Sequence, residues 1–217
     1  MRDKYRIIGP LYDLLGRIYS GKNIENCKAA MLDPDHLKPG MKVLFAGVGH
    51  GRDAIKAAQL GADVTVVDLS ETMLRKFQET QAKEAPDVTI DRIHSDILKV
   101  NAEGEYDMVV ANFFLNVFDR EMMQEVLNHL ITLGKPGAAI VIGDFSYPTG
   151  NLFARIFKRL YWYIPVFAFW LLARNPLHNI YNYPKYMERS GLDVTCKRHF
   201  KMLNMDCYWS ILGRKPG

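Results

Sequence analysis

The chain has 217 residues, of which 48% are hydrophobic, 12% aromatic and 24% charged, a composition that fits one globular domain and excludes disordered or collagen-like chains. A net charge of +4 is too small to indicate a nucleic-acid-binding protein, and the three cysteines form no CxxC pair that indicates a zinc site. We therefore expect a cytoplasmic protein that binds neither metal nor nucleic acid.

Short runs rich in valine and isoleucine alternate with amphipathic stretches after Met41, which is typical of a parallel sheet covered by helices on both faces. Strands are predicted at 42–46, 63–68, 89–94, 106–111 and 138–144. Helices are predicted between them at 53–60, 71–85 and 121–133, with Ser70 and Asp119 as N-terminal caps. A last helix at 185–190 precedes two strands at 192–198 and 208–213. Lys197, Arg198 and Lys201, at the end of the first of these strands and just beyond it, are expected on a solvated edge. The sequence predicts an α/β fold, a Rossmann-like doubly wound sheet that is mostly parallel with an antiparallel C-terminal hairpin strand.

Three glycines follow the first predicted strand in the segment AGVGHGRDAIKAA: Gly47, Gly49 and Gly51. Glycines permit a tight turn and a close approach of backbone N–H groups to a ligand at the start of a helix. Asp68 ends the second strand, where its carboxylate is placed to accept hydrogen bonds from a ribose, or alternatively to cap the helix that begins near Glu71. Arg52 stands where a GxGxxG site needs its third glycine, which argues against NAD and FAD.

Residues 38–146 resemble, in order, the motifs of class I S-adenosylmethionine-dependent methyltransferases. The matching segments are VLFAGVGHG, VTVVDLSETML, SDIL, YDMVVANFFLNVF and LGKPGAAIVIGDF. Within that class, LNVFD, DFSYP and the early Tyr12-Asp13 pair are most similar to the ubiquinone/menaquinone biosynthesis C-methyltransferases. The resemblance implies an enzyme that uses S-adenosyl-L-methionine as its cofactor.

The resemblance also implies the residues that hold this cofactor. The three glycines would pack against the methionine moiety, Asp68 would bind the ribose, and the adenine and the site's edge would be contacted by Leu69, Met73, Asp96, Ile97, Asn112 and Phe113. Asp96 has the alternative role of a helix or turn cap. The family usually has an acid where Phe45 stands, so Asp13, Asp53 or backbone carbonyls would hold the cofactor's ammonium here.

Ligands of doubly wound sheets lie outside the carboxyl ends of the strands, so the residues after 111 and 144 are expected to face the substrate. Substrate contacts are predicted for Phe114, Asn116, Tyr147 and Tyr181, with core packing as the alternative for the phenylalanines. Proton removal from an acceptor needs a base, for which His178 is the first candidate and Asp144 the second. His50 is either an exposed loop residue or a ligand contact.

Apolar and basic residues alternate at helical spacing within 152–160, and an aromatic run follows. Three interpretations of 161–172 stay open: a lid over an apolar substrate, a core helix or dimer contact, and membrane insertion. The chain is predicted to be a single domain with four parts: an N-terminal helical segment at 1–40, a cofactor-binding core at 41–147, a substrate-lid insert at 148–184, and a C-terminal helix and hairpin at 185–217.

The predicted function is methyl transfer to a small apolar acceptor such as a quinone, phenol or lipid, with peripheral membrane contact through 152–172. Three alternatives are a phospholipid amine N-methyltransferase, a regulatory protein that binds the cofactor without turnover, and an enzyme that uses the cofactor for another reaction. The sequence predicts neither the acceptor atom nor the oligomeric state.

Overall fold

The computed structural model describes residues 22–148, 153, 155, 156, 180–202 and 205–217. Within these residues the strands are β1 (Lys42–Ala46), β2 (Asp63–Asp68), β3 (Ile90–His94), β4 (Tyr106–Asn112), β5 (Gly134–Phe145), β6 (Asp193–Met202) and β7 (Met205–Arg214). The helices are α1 (Asn23–Ala29), α2 (Arg52–Gln59), α3 (Glu71–Glu84), α4 (Arg120–Leu133) and α5 (Tyr183–Arg189). Short 3₁₀ turns occur at Ile97–Lys99 and Leu115–Val117.

The seven strands form one sheet in the order β3-β2-β1-β4-β5-β7-β6. The first five strands are parallel, whereas β7 is antiparallel to both β5 and β6. The predicted fold class, including the antiparallel C-terminal hairpin, is confirmed. Because β2 and β4 lie on opposite sides of β1, the connections after β1 and β4 diverge and open a crevice at the carboxyl ends of the strands.

Both faces of the sheet are buried, as alternation along its strands requires. Leu44 and Ala46 pack on one face with α4 and α5, while Val43 and Phe45 pack on the other with α2 and α3. Phe45 is 3% exposed, so its ring belongs to the core and not to the crevice. An acid at this position would lie among apolar side chains.

Several predicted boundaries differ from the structure near turns. Helix α5 begins at Tyr183 instead of 185, because Pro184 occupies the first helical turn, where its missing N–H needs no partner. Strand β5 begins at Gly134, where it pairs with Tyr106 before the register shifts. Ser70 and Asp119 cap α3 and α4 as predicted, by accepting hydrogen bonds from Met73 and Met122.

Helix α1 is the described part of the predicted N-terminal helical segment, and residues 1–21 lie outside the described residues. The Cys27 thiol, which is fully buried, donates a hydrogen bond to the carbonyl of Trp209 at 3.1 Å. Arg198 of β6 donates to the Ala30 carbonyl and to Asp33 Oδ2, the latter at 2.6 Å. Arg198 does lie on the edge strand β6 with its side chain 39% exposed, and its guanidinium also anchors the end of α1 to the sheet.

Candidate functional site

The loop after β1 lies at the crevice and carries three glycines with positive φ angles: 75° at Gly47, 51° at Gly49 and 66° at Gly51. A Cβ added at each of these three glycines would meet different surroundings. A methyl group on Gly47 would overlap the Phe114 ring, and one on Gly51 would overlap the Phe77 ring. For a Cβ on Gly49, the single heavy atom within 4 Å among the described residues beyond its chain neighbours is Lys28 Nζ, at 3.6 Å. Packing therefore requires the outer two glycines, and the middle one opens on the crevice.

The Asp68 carboxylate connects the glycine loop to the end of β2. Its Oδ2 atom accepts a hydrogen bond from the Val48 N–H at 2.9 Å, and Oδ1 accepts from the Ser70 N–H at 2.8 Å. The alternative in which Asp68 caps α3 is wrong, because the hydroxyl of Ser70 does so. A carboxylate oxygen has two lone pairs, so each oxygen of this half-buried side chain has capacity for one more donor.

Asp68 pairs in register with His94 of β3, which places the segments after these two strands side by side. Leu69 is 71% exposed, an unusual exposure for a large apolar side chain beside a polar loop. Met73 is half-buried and Ile97 is 5% exposed. Asp96 Oδ1 accepts from the Leu98 N–H at 3.0 Å, so Asp96 does cap the 3₁₀ turn, and its Oδ2 has no hydrogen bond with a described residue.

The end of β4 brings together groups from three elements. The amide of Asn112, which is 8% exposed, donates from Nδ2 to Asp53 Oδ2 at 2.9 Å and to the Lys28 carbonyl at 3.1 Å. Its Oδ1 atom is buried without a hydrogen-bond partner among the described residues. Asp53, on the first turn of α2, is 9% exposed. The sequence predicts a role for Asp53 only in place of the acid that is missing at Phe45.

Phe113 is the one described non-glycine residue with a positive φ angle, 52°. A bulky residue adopts this conformation only when its surroundings impose it. Its N–H donates to the Gly143 carbonyl at 2.7 Å, and its ring contacts Phe145 and Tyr208 edge-on with centroid distances of 5.5 and 5.9 Å. At the carboxyl ends of β4 and β5 the rings of Phe113 and Phe145 are half-buried, and they pack against Tyr208 of β7, which is 1% exposed.

Asp144 is buried at the end of β5 and is 1% exposed. Its Oδ1 accepts from Asn116 Nδ2 at 2.8 Å and from the Phe145 N–H at 2.7 Å, and its Oδ2 accepts from the Tyr183 hydroxyl at 2.7 Å. Burial raises the pKa of Asp144 to about 7, although the three donors oppose that shift. The predicted base and the predicted substrate contact Asn116 therefore bond each other inside the protein. Tyr183, which completes this network, was not predicted because the sequence does not show which member of a tyrosine cluster faces inward.

The other predicted substrate residues occupy varied positions. Tyr181 is 7% exposed and its hydroxyl donates to the Phe118 carbonyl at 2.8 Å, which indicates a packing role. Phe114 is half-buried over Gly47 and meets Phe118 edge-on at 5.4 Å. Tyr147 is half-buried against the same core, and His50 is exposed.

His178 and most of 152–172 lie outside the described residues. Of that segment, Phe153 and Ile156 are helical and 83% and 48% exposed, and Arg155 is helical and exposed as well. No helix among the described residues has the length and apolar character needed to cross a membrane. The described residues also contain no group of three His, Cys, Asp or Glu side chains that could hold a metal ion.

Most of the residues around this crevice fall within a range of the chain that is similar to a known protein family. A family model described as a methyltransferase domain matches residues 43–137. Residues 43–137 are therefore similar to a methyltransferase domain. The matched range includes the glycine loop, Asp68, Asp96 and Asn112, and it ends before Asp144.

The proteins that are similar to this chain include enzymes named after menaquinone and ubiquinone. The demethylmenaquinone methyltransferase of Renibacterium salmoninarum is 26% identical over 151 residues, which cover 69% of this chain and 60% of that protein. The ubiquinone/menaquinone biosynthesis C-methyltransferase of Geobacter sulfurreducens is 28% identical over 211 residues, covering 94% of this chain and 78% of that protein. The chain spans 56% to 63% of the length of the first relatives it matches.

Solved structures agree on the fold. The magnesium protoporphyrin IX methyltransferase of Synechocystis, solved with bound S-adenosylhomocysteine, superposes with a TM-score of 0.72 at 19% identity and covers 99% of this chain and 97% of that chain. A methyltransferase from Bacillus halodurans superposes with a TM-score of 0.69 at 14% identity, covering 91% of this chain and 100% of that chain. The resemblance to class I S-adenosylmethionine-dependent methyltransferases, near the ubiquinone/menaquinone family, is confirmed.

Proposed function

We propose that this chain is an S-adenosylmethionine-dependent methyltransferase that acts in the cytosol on a small apolar acceptor of the quinone class. The observation that supports this most directly is the crevice within the range similar to a methyltransferase domain, where the open side of Gly49 and the spare lone pairs of Asp68 lie at the ends of adjacent strands. A ligand for this crevice has a diol to donate to Asp68 and a chain that crosses the glycine loop.

The described residues fit S-adenosylmethionine in three respects. Asp68 has acceptor capacity for ribose hydroxyls, the exposed Leu69 offers an apolar surface to an adenine, and the space beside Gly49 admits the aminoacyl chain. The cofactor, when bound, supplies a methyl group already activated on a sulfonium centre. The protein then has to orient the acceptor and to exclude water.

An apolar acceptor is proposed from the half-buried rings of Phe113 and Phe145, which lie at the strand ends on the β5 side of the glycine loop and pack against the buried Tyr208. The names of the quinone-pathway relatives give the same class. For the proton that leaves such an acceptor, we propose His178 or Asp144 as the base. A pKa of about 7 suits Asp144 to exchange a proton at neutral pH. Because the carboxylate is 1% exposed and accepts from three protein donors, it would act as the base through one of them, such as the Tyr183 hydroxyl.

Asp68 allows a direct test of the cofactor. We expect 2′-deoxy-S-adenosylhomocysteine to bind the wild-type chain about 10- to 100-fold more weakly than S-adenosylhomocysteine, because a hydroxyl bonded to a carboxylate contributes ~1.5–3 kcal/mol. Asp68→Ala should weaken binding of S-adenosylhomocysteine, and the two ligands should then bind the variant equally. Calorimetry on all four combinations measures the coupling between carboxylate and hydroxyl. Equal discrimination by wild type and variant would show that Asp68 only supports the loop.

The acceptor class is tested by incubating the chain with methyl-labelled S-adenosylmethionine and a lipid extract. We expect the label in an apolar product that is extracted into organic solvent and lacks phosphorus. Label in a phospholipid would establish the amine N-methyltransferase alternative. Cofactor binding with no labelled product from any acceptor would contradict methyl transfer and indicate a regulatory protein.

Transfer of the labelled methyl group to two different acceptors tests a further proposal, that residues 152–172 contact a membrane surface. Phe153 and Ile156 expose apolar side chains beside the basic Arg155, a combination suited to an anionic membrane surface. We expect Phe153→Ser with Ile156→Ser to lower turnover of an acceptor embedded in anionic vesicles, while turnover of a short-chain, water-soluble analogue stays unchanged. An equal effect on both acceptors would contradict the proposed contact.

A second candidate is a use of the cofactor other than methyl transfer. Phe45 leaves β1 without the acid of the resembled family, and the carboxy-S-adenosyl-L-methionine synthase of Chromohalobacter salexigens is 33% identical over 113 residues, covering 50% of this chain and 42% of that protein. In that case the label stays in a modified cofactor, and mass analysis of the nucleoside fraction distinguishes it from an apolar product.

A further inference from the structure

Two opposite charges border the glycine loop, and neither has an ion-pair partner among the described residues. The first is Lys28 of α1, whose Nζ atom lies 3.6 Å from the position that a Gly49 Cβ would take. The same Nζ atom lies 5.9 Å from the centre of the Phe113 ring. The ion pairs of the described residues involve other groups, so this half-buried ammonium is available to an anion.

The second charge is the buried Asp53 carboxylate on the first turn of α2. Asp53 Oδ2 accepts from Asn112 Nδ2, and the described residues provide no cation for it. The neighbouring Arg52 instead pairs with Glu84 and Glu25 on the exposed side of the helix. Asn112 is the one hydrogen-bond donor to Asp53 among the described residues, so the carboxylate has acceptor capacity for a cationic donor.

Asn112 is hydrogen-bonded to both of the residues that carry these charges. Its Nδ2 atom donates both to the backbone carbonyl of Lys28 and to Asp53, while its Oδ1 atom is buried without a donor. Helix α1 is held in place by the bonds of Cys27 and of Arg198, so Lys28 has a defined position relative to the loop. The region beside Gly49 thus offers an ammonium and a carboxylate, whereas Asn112 Oδ1 lies against Gly143 of β5.

An α-amino acid is complementary to this arrangement, because it carries a carboxylate and an ammonium on one carbon. We propose that Lys28 binds the carboxylate of the cofactor's amino-acid end, and that Asp53 accepts hydrogen bonds from its ammonium. This inference rests on the proposed function. It also accounts for Phe45, since Asp53 supplies from α2 the negative charge that the resembled family places on β1.

The experiment measures binding of two nucleosides by calorimetry on the full chain. S-adenosylhomocysteine carries the amino-acid end, and 5′-methylthioadenosine lacks it. We expect Lys28→Met to weaken binding of S-adenosylhomocysteine by about 10- to 100-fold, the effect of losing one charge-assisted hydrogen bond, and to change binding of methylthioadenosine less than about twofold. Asp53→Asn should show the same selectivity.

Lys22→Met is the matched control, because Lys22 is an exposed lysine that immediately precedes the same helix. It should change binding of neither nucleoside, whereas Lys28→Arg should retain most of the affinity. A decarboxylated analogue of S-adenosylhomocysteine, which keeps the ammonium, should be insensitive to Lys28→Met and sensitive to Asp53→Asn. Thermal unfolding of each variant reports whether the fold is retained.

The outcomes separate this inference from the proposed function. If the wild type binds both nucleosides and Lys28→Met weakens both equally, or neither, the assignment of Lys28 is overturned while the cofactor stands. If Asp53→Asn affects the decarboxylated analogue no more than Lys28→Met does, the assignment of Asp53 is overturned. If the wild type binds neither nucleoside, the proposed cofactor fails and this inference fails with it.

Discussion

Gly51→Ala is expected to destabilise the protein by about 3 kcal/mol, because two costs combine at this position. The φ angle of 66° is strained for any residue with a Cβ, and the added methyl group would overlap the ring of Phe77, which is fully buried. The ring cannot move away without disturbing the core between α3 and the sheet. Chemical denaturation of the variant and the wild type measures the difference.

Gly104 provides a matched control for the strain term. Its φ angle is 67°, and no atom of the described residues beyond its chain neighbours lies within 4 Å of the position that its Cβ would take. Gly104→Ala should therefore cost only the conformational part, ~1–2 kcal/mol. Combining Gly51→Ala with Phe77→Leu should cost less than the sum of the single changes, because the smaller side chain relieves the overlap. Equal losses for the two alanine variants would contradict the packing explanation.

Asp144→Asn is expected to remove a pH dependence from the free energy of unfolding. Burial raises the pKa of Asp144 from 3.8 in the unfolded reference to about 7 in the fold, so the folded protein binds the proton more tightly. This group's contribution to stability is fully present below pH 4 and is lost as the pH rises towards 7. The loss is on the order of 4 kcal/mol, from a pKa difference of about three units.

Asparagine suits this position because its carbonyl can accept from Asn116 and Phe145 while its amide donates to the Tyr183 oxygen. The variant should therefore gain stability relative to the wild type as the pH rises from 4 to 7, and the difference should be constant above pH 8. Carboxylates common to both proteins, such as Asp107 with its lowered pKa, cancel in this comparison. A difference that does not change with pH would show that Asp144 titrates normally.

Turnover of the same variant decides whether Asp144 also acts as the base. If it does, kcat of the wild type falls below pH 7 and Asp144→Asn loses activity at every pH, with binding of S-adenosylhomocysteine retained. A variant that turns over normally leaves His178 as the proposed base. His178→Gln then serves as the corresponding test.

The residues that the sequence predicts for the cofactor come together at neighbouring strand ends, and whether they bind it stays a prediction. The glycine loop, Asp68 and the segment after β3 each follow a strand by one or a few residues, so local spacing together with parallel pairing determines where they meet. Asn112 and Phe113 share this property, because they end β4 beside β1. The predictions for the acceptor depended instead on which way each side chain points from its own element. Three of the predicted residues point into the protein and are buried: Asn116, Asp144 and Tyr181.

Contacts between distant segments explain the remaining differences. Lys28 and the glycine loop are separated by about 20 residues, and no spacing rule connects them; only the docking of α1, through Cys27 with Trp209 and Arg198 with Asp33, places the ammonium at Gly49. The same holds for Tyr183 and Asp144, which belong to different elements. Sequence patterns report the direction of a side chain relative to its own strand or helix, and they do not report which element packs against it.

The sequence by itself determined the order of strands and helices, the parallel sheet with its terminal hairpin, and the turn that follows β1, because hydrophobic period and glycine placement act over a few residues. The tertiary structure decided which of the three glycines opens on the crevice and which carboxylate has its pKa raised to about 7 by burial. It also decided which charged groups have no ion-pair partner among the described residues. Those properties arise from packing between elements far apart in the chain, where van der Waals overlap and desolvation depend on three-dimensional neighbours.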